Sequence, residues 1–499
     1  MIENFLAGSS ALFGDPITIL IFVFGVIGGM LFGAIPGVSM LTLAAILLPF
    51  SAGLEPAQGV MLFAVIYCTG TYGGAITAIL FNIPGAPENA PTAFDGYPMT
   101  KQGKAGKAVG AAVLCSAIGG TASALLMMAA TEPLAKWAIR NIGPPEIFAL
   151  VFFGLAVASS VGGNTIWKGW MSVLLGLLVA TVGQDPVGGI NRYNFGMSDL
   201  AAGIAFVPAI LGFFAVSEIF IQAEKRAFGK YNAPKLDVNF PTFIELWRYK
   251  IAVVRSILVG FFCGILPGIG ATLAAFMGYG EAVRWSKNKE TFGKGNLEGV
   301  ISSETANNAA TGAAMIPLLA LGLPGGALTA IMVAVFQFHD MEPGPLVFYN
   351  SPELIWVVFA AMFYANVSIL FIGLIETKTI LQLLRIPFHF LAPMILMLAS
   401  IGAYIGRGLV LDVMVMFLAG MIGFLLRRSG YSIPGIVLGI ILGKIGEQNF
   451  AQGMQMVHYD LVTYFSRPIC AMLILAGAIT LSTGVYRALA SNRAGANQK

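Results

Sequence analysis

Charged residues are scarce in this sequence. Only 10% of its 499 residues are Asp, Glu, Lys or Arg, whereas 57% are hydrophobic. Soluble globular proteins usually have about 25% charged residues. No polar stretch is long enough to form a second, soluble domain. The net charge of +4 comes from Lys and Arg that lie between apolar runs, so we expect no nucleic-acid partner.

Histidine and cysteine are also few, and none has the spacing of a metal-binding or catalytic motif. The sequence contains no His-Glu-x-x-His motif and no Gly-x-x-x-x-Gly-Lys-Ser/Thr motif. These absences argue against zinc hydrolysis and against direct use of ATP, so we expect neither an enzyme nor a cofactor. The residues concerned are His339, His389, His458, Cys68, Cys115, Cys263 and Cys470.

Apolar runs dominate the chain, and many approach the roughly 20 residues that a membrane-spanning helix needs. They predict an all-α polytopic membrane protein in a lipid bilayer. The run 38–50 is too short to cross, because its 13 residues reach only about 20 Å. It must be half of a hairpin or of a broken crossing. The predicted segments are 17–35, 38–50, 59–83, 107–131, 146–163, 168–184, 200–222, 251–267, 269–283, 301–336, 353–375, 387–403, 408–426, 432–446 and 467–486.

Proline and glycine interrupt the run 73–87, where a plain spanning helix would carry leucine. Pro84 removes a backbone donor, so a helix that enters from Gly74 is expected to break near it. Unpaired backbone groups are tolerated at membrane depth only inside protein or beside a polar cavity. Because transporters hold substrates at such broken helices, this stretch is a candidate binding element.

Each half of the chain carries two such Pro-Gly breaks in the same order. Residues 33–37 are echoed by 264–268, and residues 83–85 by 323–325, at offsets of 231 and 240 positions. The loop between the breaks lacks Lys and Arg in the first half and is rich in them in the second. The loop after the second break shows the reverse.

Because Lys and Arg mark cytoplasmic loops, equivalent loops are expected on opposite sides of the membrane. We therefore predict two inverted-topology repeats, with broken helices or re-entrant hairpins at the Pro-Gly motifs, and with scaffold and transport regions. Residues 1–222 are expected to form the first repeat, 223–250 a cytoplasmic linker, 251–446 the inverted second repeat, and 447–499 a final transmembrane helix and cytoplasmic tail. The N-terminus is expected outside the cytoplasm and the C-terminus inside it.

Polar residues near the second break of each half form the candidate site. Half-helix N-termini suit a carboxylate, and amide, hydroxyl and carbonyl oxygens suit Na⁺. Glu88, Asn89 and Thr92 are further polar members of the first stretch, without an assigned role. The predicted substrate-binding residues are Thr71, Tyr72, Asn82, Pro84, Gly85, Ala86, Asn307, Asn308, Thr311, Pro324, Gly325 and Gly326. The predicted coupling-ion residues are Ser39, Thr77, Glu304 and Thr305, with Na⁺ as a candidate ion at the same polar residues.

These residues also have structural alternatives. Small and hydroxylated side chains let membrane helices approach closely. Glu304 stands beside two serines and fits either a first-turn or capping residue, or a proton-coupling carboxylate. Asn82, Asn307 and Asn308 fit packing less well, because an amide in hydrocarbon needs hydrogen-bond partners.

Several motifs together resemble the large membrane subunit of tripartite tricarboxylate transporters, the TctA family. The resemblance covers nearly the whole chain and implies a bacterial inner-membrane importer of citrate-like or other carboxylates. It also implies a small membrane subunit (TctB-like), a periplasmic solute-binding protein (TctC-like) and a Na⁺ or H⁺ gradient. The run 86–91 departs from the family pattern. The motifs are 72–85, 95–99, 103–107, 264–268, 278–281 and 304–309.

The leading hypothesis is cation-coupled import of an organic carboxylate by alternating access. A channel with a polar broken-helix pore is the second hypothesis, and it predicts flux that does not depend on a binding protein. An intramembrane enzyme is a third, which the missing catalytic clusters disfavour.

Overall fold

The computed structural model describes residues 1–35, 39–161, 165–185, 188–224, 241–267, 270–383 and 388–496. Nearly all of the described chain is helical, and a two-stranded hairpin pairs β1, Gly183–Gln184, with β2, Asn191–Arg192. The first half contains α1 Ile2–Gly14, α2 Pro16–Ala34, α3 Met40–Leu47, α4 Pro56–Phe81, α5 Ala90–Lys101, α6 Ala105–Asn141, α7 Pro144–Val161, α8 Ile166–Ala180, α9 Phe206–Ile210 and α10 Ser217–Glu224.

The second half continues the helical pattern. It contains α11 Phe243–Trp247, α12 Lys250–Ile265, α13 Gly270–Trp285, α14 Leu297–Ala313, α15 Met315–Leu321, α16 Ala327–Phe338, α17 Val347–Asn350, α18 Pro352–Leu383, α19 Phe388–Ile405, α20 Val410–Arg428, α21 Ile433–Met456, α22 Leu461–Ser466 and α23 Pro468–Ala496.

Seven helices in the described part of the chain are long and apolar enough to cross a membrane. This confirms the predicted all-α polytopic class. The predicted run 301–336 is divided into three helices, whereas α1 and α5 were not predicted. Residues 36–38, 268–269 and most of the predicted linker 223–250 lie outside the described residues. The seven helices are Pro16–Ala34, Pro56–Phe81, Ala105–Asn141, Phe206–Glu224, Pro352–Gly373, Val410–Arg428 and Pro468–Tyr486.

Helices α2 and α3 form a hairpin, here called hairpin 1. The N-terminal ends of α2 and α4 lie side by side, and there Gln58 Nε2 donates to Thr18 Oγ1 at 3.0 Å. They run side by side until Gly33 packs on the Gly70 carbonyl, about 16 Å before α4 ends. Helix α3 then returns along α2, with Leu43 beside Gly28. The short run 38–50 therefore contains the returning arm of a hairpin, one of the two predicted alternatives.

The chain also turns back into the bundle after α4, and residues 82–101 are here called hairpin 2. Helix α4 ends at Phe81, three residues before Pro84, and Asn82 takes a left-handed backbone with φ 58°. The Ile83 N–H bonds to the Thr77 carbonyl at 3.3 Å, which closes a helix-terminating turn. The chain then runs back alongside α4, where the Gly85 N–H donates to the Gly74 carbonyl at 3.3 Å. Helix α5 reverses direction again and returns toward the end of α4, where the Thr100 hydroxyl donates to the Ile79 carbonyl at 2.8 Å.

The second half repeats these backbone contacts. Helices α12 and α13 form hairpin 3, in which Gly264 packs on the Ala310 carbonyl as Gly33 packs on that of Gly70. Residues 322–338 form hairpin 4. There Gly322 has φ 75°, and the Leu323 N–H bonds to the Pro317 carbonyl at 3.1 Å. These positions lie 240 residues after Asn82, Ile83 and Thr77.

The two halves pack crosswise. The long helix α6 of the first half lies on α14 of the second, where Gly119 packs on the Thr305 carbonyl. The long helix α18 of the second half lies on α4 of the first, where Tyr72 donates to the Gly373 carbonyl at 3.2 Å. Each half thus covers the broken helix of the other.

The connecting loops gather at two ends of the bundle. The lysine-rich loops lie together at one end, because Gln102 Nε2 donates to the Lys294 carbonyl at 2.7 Å. At the opposite end of α4, Gly59 lies beside His339 of the loop that follows hairpin 4. Equivalent loops of the two halves are therefore at opposite ends, which is the arrangement that inverted repeats require.

Candidate functional site

The four hairpins contact one another near their chain breaks. In the first half, a Cβ on Gly85 would collide with the Gly33 carbonyl, so hairpin 2 touches the end of α2 in hairpin 1 through backbone. In the second half, Gly270 of hairpin 3 lies against Gly326 of hairpin 4. The absence of side chains at these glycines permits the close approach. Chain breaks from both halves therefore converge at one depth.

A buried carboxylate, Glu304, lies on α14 beside the tip of hairpin 2. The side chain is fully buried and accepts hydrogen bonds on both oxygens. Thr92 donates to Oε1, Ser116 donates to Oε2 at 3.0 Å, and Asn307 Nδ2 lies 3.4 Å from Oε1. Ser303 joins the network through the Thr92 hydroxyl at 3.0 Å. The donors come from α5, α6 and α14, so the cluster joins both halves.

A second carboxylate, Glu88, lies at the tip of hairpin 2 and is 6% exposed. Thr272 on α13 is its hydrogen-bond donor in the described structure, at 3.4 Å from Oε2. Asn307 connects the two acids, because its Nδ2 also lies 3.5 Å from the Glu88 backbone carbonyl. Glu88 and Glu304 thus belong to one network, in which Glu88 has fewer donors.

Two amide oxygens around this network have no hydrogen-bond donor among the described residues. Asn89 Nδ2 donates to the Thr71 carbonyl at 2.8 Å, but its Oδ1 is buried and unpaired. Asn308 Nδ2 donates to Asn307 Oδ1 at 2.6 Å, and its own Oδ1 is likewise unpaired. Buried amide oxygens normally have a partner. Unpaired oxygens of this kind can coordinate a hard monovalent cation.

The structure distributes the predicted substrate-binding residues over three places. Asn307, Asn308 and Thr311 lie on α14, with the two asparagines in the network and Thr311 bonded to the Asn308 carbonyl. Thr71 contributes its carbonyl to Asn89, whereas the Tyr72 hydroxyl reaches α18. The remaining residues form the turns of hairpins 2 and 4, and these are Asn82, Pro84, Gly85, Ala86, Pro324, Gly325 and Gly326.

The four predicted coupling-ion residues are not gathered in one place. Glu304 is in the network, but the Thr305 hydroxyl bonds to the Ile301 carbonyl of its own helix at 2.7 Å. The Thr77 hydroxyl bonds to the Gly74 carbonyl at 3.4 Å. Ser39 is half-buried at the start of α3, and no hydrogen bond joins it to Glu304 in the part of the chain described.

Sequence reasoning did not assign several members of the network. Asn89 and Thr92 follow the Pro-Gly break within a polar run, and that position was their signal. Ser116 is one of two serines in a long apolar helix, and Thr272 follows a glycine-rich stretch of sequence, so neither pattern separates them from packing residues. Across the described residues, no group of three or more His, Cys, Asp and Glu forms a metal site.

Comparison with known proteins now identifies the family. The model of the tripartite tricarboxylate transporter TctA family matches residues 19–438. This chain belongs to the TctA family. TctA is a transporter family, and this member is a multi-pass membrane component of a tripartite tricarboxylate transporter.

Two relatives of this TctA protein come from Agrobacterium vitis. The chain is 34% identical over 478 residues to the "Uncharacterized 52.8 kDa protein in TAR-I ttuC' 3'region". The aligned residues cover 96% of this chain and 95% of the relative. It is 33% identical over 234 residues to the "Uncharacterized protein in TAR-II ttuC' 3'region". Those aligned residues cover 47% of this chain and 97% of that relative. No solved structure matches the chain.

Proposed function

We propose that this TctA protein imports an organic carboxylate, a tricarboxylate or a related acid, by cation-coupled symport. It works in a bacterial inner membrane, with its N-terminus in the periplasm and its C-terminus in the cytoplasm. A periplasmic solute-binding protein delivers the substrate, and a small membrane subunit completes the transporter. Family membership supports the tripartite assembly and the class of substrate.

One observation carries the proposal: hairpin tips from both halves meet beside buried carboxylates that have no basic partner in the described structure. Opposed hairpins supply a central site that can be closed from either side, as alternating access requires. An uncompensated carboxylate in a membrane interior needs a proton or a metal cation to become neutral. Cation binding is thereby linked to the site itself.

The substrate is proposed to bind at the turns of hairpins 2 and 4, next to Asn307 and Asn308. Asn82, Pro84 and Gly85 retain exposed or half-buried surface, whereas most of α4 is buried. Backbone N–H groups at helix N-termini beside these turns, including that of α16, suit an anion without a buried arginine. Glu304 holds the coupling cation, and Thr71, Tyr72 and Thr311 support the surrounding helices.

The test is uptake of radiolabelled citrate and of a panel of C4 to C6 carboxylates into proteoliposomes that contain the complete complex. Imposed gradients of Na⁺ and of H⁺ are applied separately, with and without the binding protein. We expect accumulation above the external concentration that requires the binding protein and one of the two gradients. Flux that only equilibrates the substrate, and does so without the binding protein, would instead establish the channel.

A pair of matched variants tests the position of the site. Asn307→Ala removes the amide that joins Glu88 and Glu304, and uptake should fall at least tenfold. Asn449→Ala on α21 is the control, because within the described part of the chain the Asn449 amide bonds only to the Ile445 carbonyl of its own helix, at 2.8 Å. Both variants should insert into the membrane in normal amounts. Equal uptake by the two variants would move the site away from α14.

A further inference from the structure

The buried acids of the described chain differ in their partners. Glu146 and Asp412 are 2% and 1% exposed, and each pairs with an arginine, Arg467 and Arg407 respectively. Glu88 and Glu304 are 6% and 0% exposed, and no ion pair reaches either one in the described residues. Burying an unpaired charge costs several kcal/mol. Glu88 and Glu304, if charged, would bear this cost, whereas Glu146 and Asp412 are compensated by their arginines.

The groups that face these two acids are all neutral or acidic. Helix α6 presents Ser116 and Cys115, α5 presents Thr92, α4 presents Tyr67, and α13 presents Thr272. Asp95, a further buried acid on hairpin 2, accepts hydrogen bonds from the Gly295 and Asn296 N–H groups at 2.9 and 2.8 Å and from the Tyr279 hydroxyl. Among the described residues, no positive side chain forms an ion pair with either carboxylate.

The two acids also lie on different elements of the fold. Glu304 lies within α14 and has three side-chain donors, so its position is fixed by the helix. Glu88 lies at the tip of hairpin 2 and has one long hydrogen bond, to Thr272 of hairpin 3. The unpaired oxygens of Asn89 and Asn308 lie on the same two elements. Each of the two elements that carry an acid therefore also carries a buried, unpaired amide oxygen.

We propose that Glu88 and Glu304 each bind one monovalent cation, H⁺ or Na⁺, so that two cations accompany each substrate molecule. Glu304 forms one cation site, on α14 within the helix bundle. Glu88 forms the other, between hairpins 2 and 3, and this site is closed when the two hairpins are in contact, as they are through Thr272. Two cations neutralise the two carboxylates before the loaded site crosses the membrane. This inference rests on the proposed symport and adds its stoichiometry.

The experiment measures the limiting substrate gradient in proteoliposomes of the complete complex, with citrate as the probe and the membrane potential clamped at zero. In a coupled transporter at equilibrium, the substrate ratio equals the cation ratio raised to the number of cations. A tenfold cation gradient should therefore sustain a 100-fold citrate gradient. Separate Na⁺ and H⁺ gradients distinguish the two cations, and one of each would give two slopes of one.

Single variants assign the two cations. Glu88→Gln and Glu304→Gln should each reduce the sustained citrate gradient from 100-fold to tenfold, because one neutral amide replaces one cation site. Glu353→Gln, which changes an exposed acid at the start of α18, should keep the 100-fold gradient. Membrane insertion of Glu88→Gln and Glu304→Gln in normal amounts guards against loss through misfolding.

The outcomes separate this inference from the function on which it rests. A total slope of one in the unaltered complex would overturn the two-cation inference and leave symport standing. A slope of two that persists in Glu88→Gln would show that Glu88 is not a cation site. No accumulation under any gradient by the unaltered complex would overturn symport itself.

Discussion

Hairpins 2 and 4 follow the same path through the protein with different side chains. In both, the helix ends on a residue with a left-handed backbone, Asn82 or Gly322, and the next N–H bonds six residues back. In both, the chain then packs a glycine eleven residues back along the helix, Gly85 on Gly74 and Gly325 on Ala314. The backbone geometry is therefore a property of the repeat.

The side chains break this symmetry. Hairpin 2 carries Glu88 and Thr92 where hairpin 4 carries Leu328 and Met332, at the same offset of 240 positions. The polar network forms where hairpin 2 meets α14, and the equivalent place in the other half is apolar. A repeated scaffold thus supports one chemical site, and variants should separate the shared scaffold from the single site.

The largest effect is expected from glycines of the shared scaffold. Gly85→Ala places a Cβ 2.6 Å from the Gly74 Cα, and Gly325→Ala places one 2.7 Å from the Ala314 carbonyl oxygen. Each should lower stability by about 3 kcal/mol through overpacking and reduce uptake more than tenfold. Thermal unfolding in detergent and uptake in proteoliposomes are the measurements.

Gly280→Ala is the control for these scaffold variants, since a Cβ there meets nothing within 4 Å. Because the backbone path is repeated, the two hairpin variants should lose similar amounts of stability. A large loss in one hairpin and none in the other would show that the repeat does not extend to these contacts.

The second prediction concerns the single polar site. Thr92→Val removes a hydroxyl that donates to Glu304 but keeps the side-chain shape. Because a hydrogen bond to a charged group contributes about 1.5–3 kcal/mol, the half-saturating cation concentration should change by at least tenfold. Met332→Leu, at the equivalent place in hairpin 4, should leave that concentration unchanged. Equal effects of the two variants would contradict the asymmetry.

The smallest effect is expected at the left-handed residues. Asn82→Gly should leave stability within about 0.5 kcal/mol of the unaltered protein, since both residues tolerate this backbone. Asn82→Ala should cost about 1 kcal/mol. Gly322→Ala should cost more, because its Cβ would also lie 2.6 Å from the Pro343 carbonyl oxygen. Thermal unfolding measures the loss of stability in each variant. Losses that decrease from Asn82→Gly through Asn82→Ala to Gly322→Ala would exclude this account of the helix ends.

Much of this architecture could be predicted from the sequence. Pro84 indicated the end of α4, and the shortness of the run 38–50 indicated a hairpin, because both follow from local geometry. The crossing of α6 over α14 could not be predicted, since nothing in an apolar helix indicates its partner. For that reason Ser116 was not assigned to the network that contains Glu304.

Asn82 shows why site prediction was harder. An asparagine in an apolar run suggests a ligand, but asparagine also tolerates the left-handed backbone that ends a helix. The structure places Asn82 at such an end with its side chain exposed. Asn89, seven positions later, has the buried unpaired oxygen. Asn82 remains a proposed substrate contact, with a second reason for its residue type.

The inverted repeat is most directly tested by labelling single cysteines with a membrane-impermeant maleimide in sealed cells. All four native cysteines are buried, so the unaltered chain is the background control. The labelled variants are Ala52→Cys, Lys104→Cys, Lys287→Cys and Glu342→Cys, all at exposed positions. We predict labelling from outside at positions 52 and 342, and labelling at 104 and 287 only after the membrane is opened. Labelling of 52 and 104 from the same side would contradict the inverted architecture.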